Sequence, residues 1–156
     1  MSIANSLRNY MLAEGVKYDV LSHTHTSTSS EAAQAAHVPG DRLAKAVLLE
    51  DDNGYVLAVL PASRRLELGA LHHSLNRRLG LATESEVGEL FRDCELGAIP
   101  PFGEAYGIET VLDDSLMEQP EVYFEAGDHE ELIRVSGDQF RQLFAGTPHG
   151  HFSRHA

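Results

Sequence analysis

Ile3, Leu7 and Met11 recur at intervals of four residues, the repeat of one helix face, and Gly15 predicts the helix stop. Tyr-Asp-Val-Leu at 18–21 reads as a short strand. Thr28 and Glu31 form a capping-box pattern that opens an alanine-rich helix reaching about His37. After the turn Val-Pro-Gly-Asp come two apolar, β-compatible runs, 43–50 and 55–61, joined by Asp-Asp-Asn-Gly, a hairpin signal. Leu68, Leu71, Leu75 and Leu79 predict a helix that ends near Gly80. Thr83 and Glu86 predict another capped helix, with Val87, Leu90 and Phe91 facing inward. Residues 108–113 and 121–126 read as strands with a turn or short helix between them. Gly-Asp-His turns into a further strand, Glu-Leu-Ile-Arg-Val-Ser, whose Ser136 caps a last helix. The segment 146–156 shows no periodicity and is expected to be a flexible tail. With no repeat and no linker, 1–145 is expected to form one mixed α/β domain.

Composition narrows the class. A chain of 156 residues can bury about 70% of its unfolded surface, enough for one real core. The formal net charge of −12 argues against a protein that simply coats nucleic acid, which needs clustered Lys and Arg. Four basic residues come in pairs, Arg64-Arg65 and Arg77-Arg78, so local patches remain available. The single cysteine, Cys94, permits no internal disulfide and fits a reducing cytoplasm. No apolar run suits a signal peptide or the roughly 20 residues of a membrane span, so cytoplasmic residence without membrane contact is the expectation.

Lys45 is the least expected residue. It stands among Leu, Ala and Val in Leu-Ala-Lys-Ala-Val-Leu-Leu, and a strand would put Lys45, Val47 and Leu49 on one face. Two readings stay open: an exposed lysine whose stem lies on apolar surface, or a cation aimed into a pocket for an anion or carbonyl. Gly-Ala-Ile-Pro-Pro-Phe-Gly, 97–103, has two readings as well. Its prolines can merely stiffen a turn, or they can fix a loop whose glycine admits a ligand to the backbone and whose N–H groups face a carbonyl oxygen. His129, in a turn between strands, is either a surface residue or part of the same cleft.

Other chemistry finds less support. His23 and His25 fall short of the three protein ligands of a zinc site, and His72, His73, His149 and His151 are scattered, so neither metal nor cofactor is expected. There is no Gly-x-Ser-x-Gly elbow and no nucleotide fingerprint. Cys94 lies between Asp93 and Glu95, which disfavours a thiolate.

The ordered set Ser-Thr-Ser-Ser-Glu-Ala-Ala-Gln-Ala-Ala, Ala-Lys-Ala-Val-Leu-Leu, Ala-Val-Leu-Pro-Ala-Ser, Gly-Ala-Ile-Pro-Pro-Phe-Gly and Phe-Glu-Ala-Gly-Asp-His resembles the YbaK-type aminoacyl-tRNA deacylases, the prolyl-tRNA synthetase-associated domain. The resemblance spans roughly 18–145. It implies an α+β fold: a curled, mostly antiparallel, barrel-like sheet with helices around it. It implies hydrolysis of the ester joining a wrong amino acid to the terminal adenosine of a tRNA, often tRNA for proline, by a positioned water. The family's lysine falls on Lys45, its Gly-x-x-x-Pro loop on Gly97 and Pro101, and its late histidine on His129. Ile99, Pro100, Pro101, Phe102 and Gly103 are then expected to bind substrate, Ile99 and Phe102 by limiting side-chain size. Ala46 stands where members that remove alanine often carry asparagine, which counts against an alanine preference.

The resemblance makes the acceptor end of a mischarged tRNA the expected partner, and a prolyl-tRNA synthetase a second one. The competing reading is a non-catalytic module that keeps the pocket and binds a nucleotide or aminoacyl ligand. Retention of both Lys45 and Gly97 favours the enzyme, while the acidic charge favours the module by weakening attraction to tRNA.

Overall fold

The structure, a computed structural model, describes residues 3–155. Helix α1 (Asn5–Glu14) buries Leu7 and Met11 and stops at Gly15, whose φ of 66° suits the left-handed cap. Strand β1 (Asp19–Ser22) precedes α2 (Ser29–Ala35), where the Thr28 hydroxyl accepts from the Glu31 N–H. The hairpin β2 (Leu43–Asp51) and β3 (Gly54–Pro61) follows, paired from Ala44↔Pro61 to Asp51↔Gly54. Next come β4 (Arg64–Leu66), α3 (Leu68–Leu75), β5 (Gly80–Leu81) and α4 (Glu84–Leu90), the last with the complete Thr83/Glu86 capping box. The chain ends with β6 (Glu109–Asp113), β7 (Glu121–Glu125), β8 (Glu131–Ser136), α5 (Gly137–Leu143), β9 (His149–Gly150) and β10 (Ser153–His155).

One mixed sheet runs β1-β8-β7-β2-β3-β6-β9, with β5 beside β2. Most pairs are antiparallel, but β2–β7, β3–β6 and β6–β9 are parallel. The α+β class is therefore as expected. The sheet is unclosed: β1 and β9 end it without pairing each other.

Two further expectations change. Helix α3 stops at Leu75 because Asn76 takes a left-handed conformation, φ 53°; Leu79 is buried all the same, brought into the core from the following loop. The segment expected to be a flexible tail is, over residues 149–155, tied to the fold; residue 156 lies outside the described residues. Strand β9 pairs with β6, β10 pairs with β4, and between them Phe152 is fully buried, its N–H donating to the buried Asp113 carboxylate. Two- and three-residue strands carry no readable alternation, so the segment's anchoring was invisible to periodicity.

Candidate functional site

Alternation along β2 sends Leu43, Lys45, Val47 and Leu49 to one face of the sheet. Leu43 packs with Ala32 and Ala33 of α2 and with Tyr123. Val47 and Leu49 pack with Leu71 and Leu75 of α3. Lys45 thus stands between two helix-covered patches, half-buried in the sheet interior. Burial first, and then the nearby Arg65 cation on β4, hold its ammonium below the ordinary lysine range. Among the described residues no carboxylate lies within ion-pair distance of it. A partly desolvated cation with a second cation beside it is a seat for an anion or for developing negative charge. Of the two arginine pairs, Arg64 is tied to Ser153 and Arg77 to Asp51, which leaves Arg65 and Arg78 exposed and untied among the described residues; of these, Arg65 is the one beside Lys45.

The loop from Glu95 to Gly103 is anchored at both ends. Glu95 N–H donates to Gly127 O, and Ala98 N–H to Glu95 O. Gly97 has φ +82°, and a methyl group on it would lie 3.0 Å from the Ser27 carbonyl oxygen and 3.3 Å from the His129 ring. Only glycine fits both the conformation and the space. His129 is itself left-handed, φ 59°, and 3% exposed. Its Nε2 lies 2.6 Å from the Leu96 carbonyl oxygen and donates to it. In a trans peptide the C=O and the following N–H point opposite ways. The bond from His129 therefore turns the Gly97 N–H away from the ring. That N–H has no partner among the described residues, and Gly97 is exposed. The result is a fixed, unspent backbone donor.

Sheet pairing connects the two halves. Parallel pairing of β2 with β7 ends at Ala44↔Phe124. Lys45 and Glu125 are the next residues on the two strands, and the Glu125 carboxylate lies 3.7 Å from His129 Nδ1. Lys45, His129 and Gly97 thus belong to one end of the sheet, with Ser27 of the loop before α2.

The remaining loop residues do not all face a substrate. Ile99 is 7% exposed and packs with Leu48, Leu57 and Phe91, within reach of Ala46. Phe102 is a core residue. Its ring is 2% exposed and lies against Phe124, Phe144 and Tyr10, so the expectation that it sizes the substrate gives way. Gly103 is likewise structural: a Cβ there would collide with Thr110 and the Ile108 carbonyl, and its N–H donates to Thr110. Pro100 and Pro101 are buried and brace the turn between Gly97 and this anchor. Phe102 and Gly103 border a cavity of about 660 Å³ that excludes Lys45, Gly97 and His129. Burial pushes the Cys94 thiol up to about 12, which disfavours the thiolate a nucleophile needs.

Residues 23–143 match the aminoacyl-tRNA editing domain family. This chain is a member of the aminoacyl-tRNA editing domain family. The editing domain is 32% identical over 120 residues to the multifunctional Ser/Thr-tRNA deacylase ProXp-y of Escherichia coli strain K12, covering 73% of this chain and 71% of that protein. A crystal structure of a candidate trans-editing enzyme for prolyl tRNA synthetase superposes with TM-score 0.80 at 26% identity, over 98% of this chain and 99% of that one. The hypothetical protein APE2540 shares the fold, with TM-score 0.84 at 24% identity over 96% and 100% of the two chains. The editing domain is thus an ester hydrolase of the aminoacyl-tRNA deacylase class. No described helix is long and apolar enough to cross a membrane.

Two residues of the site escaped the sequence reading as individuals. Arg65 was visible only as half of an arginine pair. Glu125 sits at the end of Glu-Val-Tyr-Phe-Glu, where alternation groups it with Glu121 on a polar face, yet it is 1% exposed because β7 is an interior strand. The available signal was its place four residues before His129 in an acid-rich turn.

Proposed function

We propose that this protein hydrolyses the ester of a mischarged tRNA in trans, taking a small hydroxylated amino acid from the terminal adenosine. The observation that carries this reading is the N–H of the exposed Gly97, without a partner among the described residues and turned by His129, at the end of the sheet that holds Lys45. Water attacks the ester carbonyl. The Gly97 N–H stabilises the oxyanion; the bond between the acyl carbon and the ribosyl oxygen then breaks, and the proton given up by the attacking water passes to that oxygen, to give the free amino acid and the tRNA hydroxyl. Such a donor contributes most where charge develops and where the site needs no reorganisation. Lys45, with Arg65 beside it, holds the terminal phosphate or the reacting carbonyl region. An aminoacyl ester is labile, so positioning supplies much of the rate without a protein nucleophile.

Serine and threonine are the proposed amino acids. The activity in the name of the E. coli relative supports them, and Ala46 counts against alanine. tRNA for proline is the proposed carrier, with a prolyl-tRNA synthetase as the proposed companion, on the strength of the trans-editing likeness. The test is a deacylation panel of serine, threonine, alanine, cysteine and 2-aminobutyrate on tRNA for proline, together with serine and threonine on their own tRNAs, with and without synthetase. Hydrolysis of the seryl and threonyl esters ahead of the alanyl ester is expected. Inertness toward every ester would favour a binding module instead.

A further inference from the structure

Glu125 has no role in the scheme above, yet it is the most deeply buried acid beside the site. It is 1% exposed, and neither carboxylate oxygen has a hydrogen-bond partner among the described residues. The buried polar atom facing it is His129 Nδ1, which is also without a partner, 3.7 Å away. Buried polar groups are rarely left this way without a reason.

The protonation of the pair follows from the other side of the ring. His129 Nε2 lies 2.6 Å from the Leu96 carbonyl oxygen. A carbonyl only accepts, so Nε2 carries the hydrogen. In the neutral ring Nδ1 is then a bare lone pair. Facing an ionised carboxylate, it would set two acceptors against each other in a buried site. One proton held by the pair removes the conflict, either as carboxylic acid and imidazole or as carboxylate and imidazolium, and lets the 3.7 Å gap close to hydrogen-bond distance. Loss of that proton frees the ring to turn or to surrender its Nε2 hydrogen, and with it the bond that fixes the Leu96–Gly97 peptide.

We propose that Glu125 is a positioning residue which, by sharing one proton with His129, locks the ring against the Leu96 carbonyl and so keeps the Gly97 N–H turned toward the substrate. This rests on the reading of Gly97 as the donor to the ester carbonyl. The charged groups acting on the pair are Asp128 in the β7–β8 turn and Glu95 in the adjoining loop, with His25 beside the ring; Glu131 opens β8, and Lys45 follows the last β2–β7 pair on the neighbouring strand. His25 packs edge-on to the His129 ring, with centroids 5.8 Å apart, and its Nε2 is 3.4 Å from Glu95. Burial first, then Asp128 and Glu95, push the Glu125 carboxyl up to about 8. The proton is therefore retained through neutral pH and lost in mildly alkaline buffer, and the peptide lock is lost with it.

The test combines pH–rate profiles for wild type and Glu125→Gln with NMR of the ring nitrogens in protein carrying isotope-labelled histidine. The substrate is the ester that wild type hydrolyses best, corrected for spontaneous hydrolysis. A glutamine amide can donate to Nδ1 as a protonated carboxyl does and cannot lose that hydrogen. Wild-type kcat should fall as pH rises through about 8, while the variant keeps activity across the range. Glu125→Met, with no donor, should lose kcat at every pH and leave KM nearly unchanged. In wild type the His129 nitrogens should shift over the same pH interval as kcat, a measurement that needs no variant. The folded state raises this carboxyl, so the stability it provides is present in acid and is lost as pH rises through about 8; the glutamine variant should then be the more stable protein in alkaline buffer. Coincident alkaline limbs in wild type and Glu125→Gln, or His129 resonances that ignore pH across this interval, would overturn the proposal. If Gly97→Ala edits normally, the underlying reading fails. If Gly97→Ala is inactive and the two profiles coincide, the role of Glu125 alone fails.

Discussion

Gly97→Ala separates the catalytic use of the loop from its structural use, because the chain contains a matched control. Gly97 has φ +82° and Gly146 has φ +83°, but an added methyl at Gly146 meets nothing within 4 Å. Alanine at either position costs about 1–2 kcal/mol for its left-handed backbone. At Gly146 that is the whole effect, a melting temperature lower by about 2–8 °C in a domain of this size. At Gly97 the methyl also lies 3.0 Å from a backbone carbonyl and 3.3 Å from the His129 ring. Neither neighbour is a free-swinging side-chain end, since the ring is 3% exposed and pinned to Leu96. Overpacking of this kind adds about 1–3 kcal/mol. The contact is relieved by moving the loop away from His129, which displaces the Gly97 N–H, and misplacement by about 1 Å can cost about 10²-fold in rate. Thermal melts and single-turnover deacylation well below both transitions measure the two effects. Gly146→Ala should edit normally and melt early. Gly97→Ala should melt earlier still and edit about 10²-fold more slowly. Normal editing by folded Gly97→Ala would refute the assignment, and equal melting temperatures for the two variants would refute the contact argument.

Three further outcomes follow from the structure. Lys45→Ala should lower single-turnover deacylation about 10²–10³-fold, as loss of one transition-state contact does, while Lys45→Met should melt no lower than wild type, because a desolvated, unpaired ammonium is removed; a near-normal rate for the alanine variant would exclude Lys45 from the reaction. Phe152→Ala should cost about 3–5 kcal/mol in urea denaturation, the usual toll for a fully buried phenylalanine, whereas a loose tail would give no change.

Much of this architecture is legible in the sequence where a local rule dominates. Thr28, Thr83 and Ser136 each announce a helix start, and each hydroxyl accepts the predicted backbone N–H. Asp52 and Asn53 announce the β2–β3 hairpin because a two-residue turn leaves few alternatives. Legibility ends where partners are distant. The positions of β9 and β10 depend on β6 and β4, and nothing in a two-residue strand says so. Phe102 looks like a pocket wall in a Pro-Pro-Phe-Gly loop, yet its direction is decided by Phe124 and Phe144, which the loop sequence cannot reveal. For Lys45, composition shows that the residue is anomalous; only the gap between α2 and α3 shows where it sits.

Strand β2 hydrogen-bonds to three neighbours, β3, β5 and β7. Its lysine is therefore mounted on the most heavily tethered segment of the molecule, whereas Gly97 rides on a loop anchored at Glu95 and Gly103, its peptide turned by one imidazole. Selection can act on the two at different rates. On the proposed reading of the site, exchanges in the loop or at Ser27 reshape the space offered to an amino acid while the cation stays in register, so a lineage can drift between substrates without passing through an inactive ancestor. A laboratory search for altered amino-acid preference should accordingly randomise the loop and the α2 entry and leave the hairpin alone.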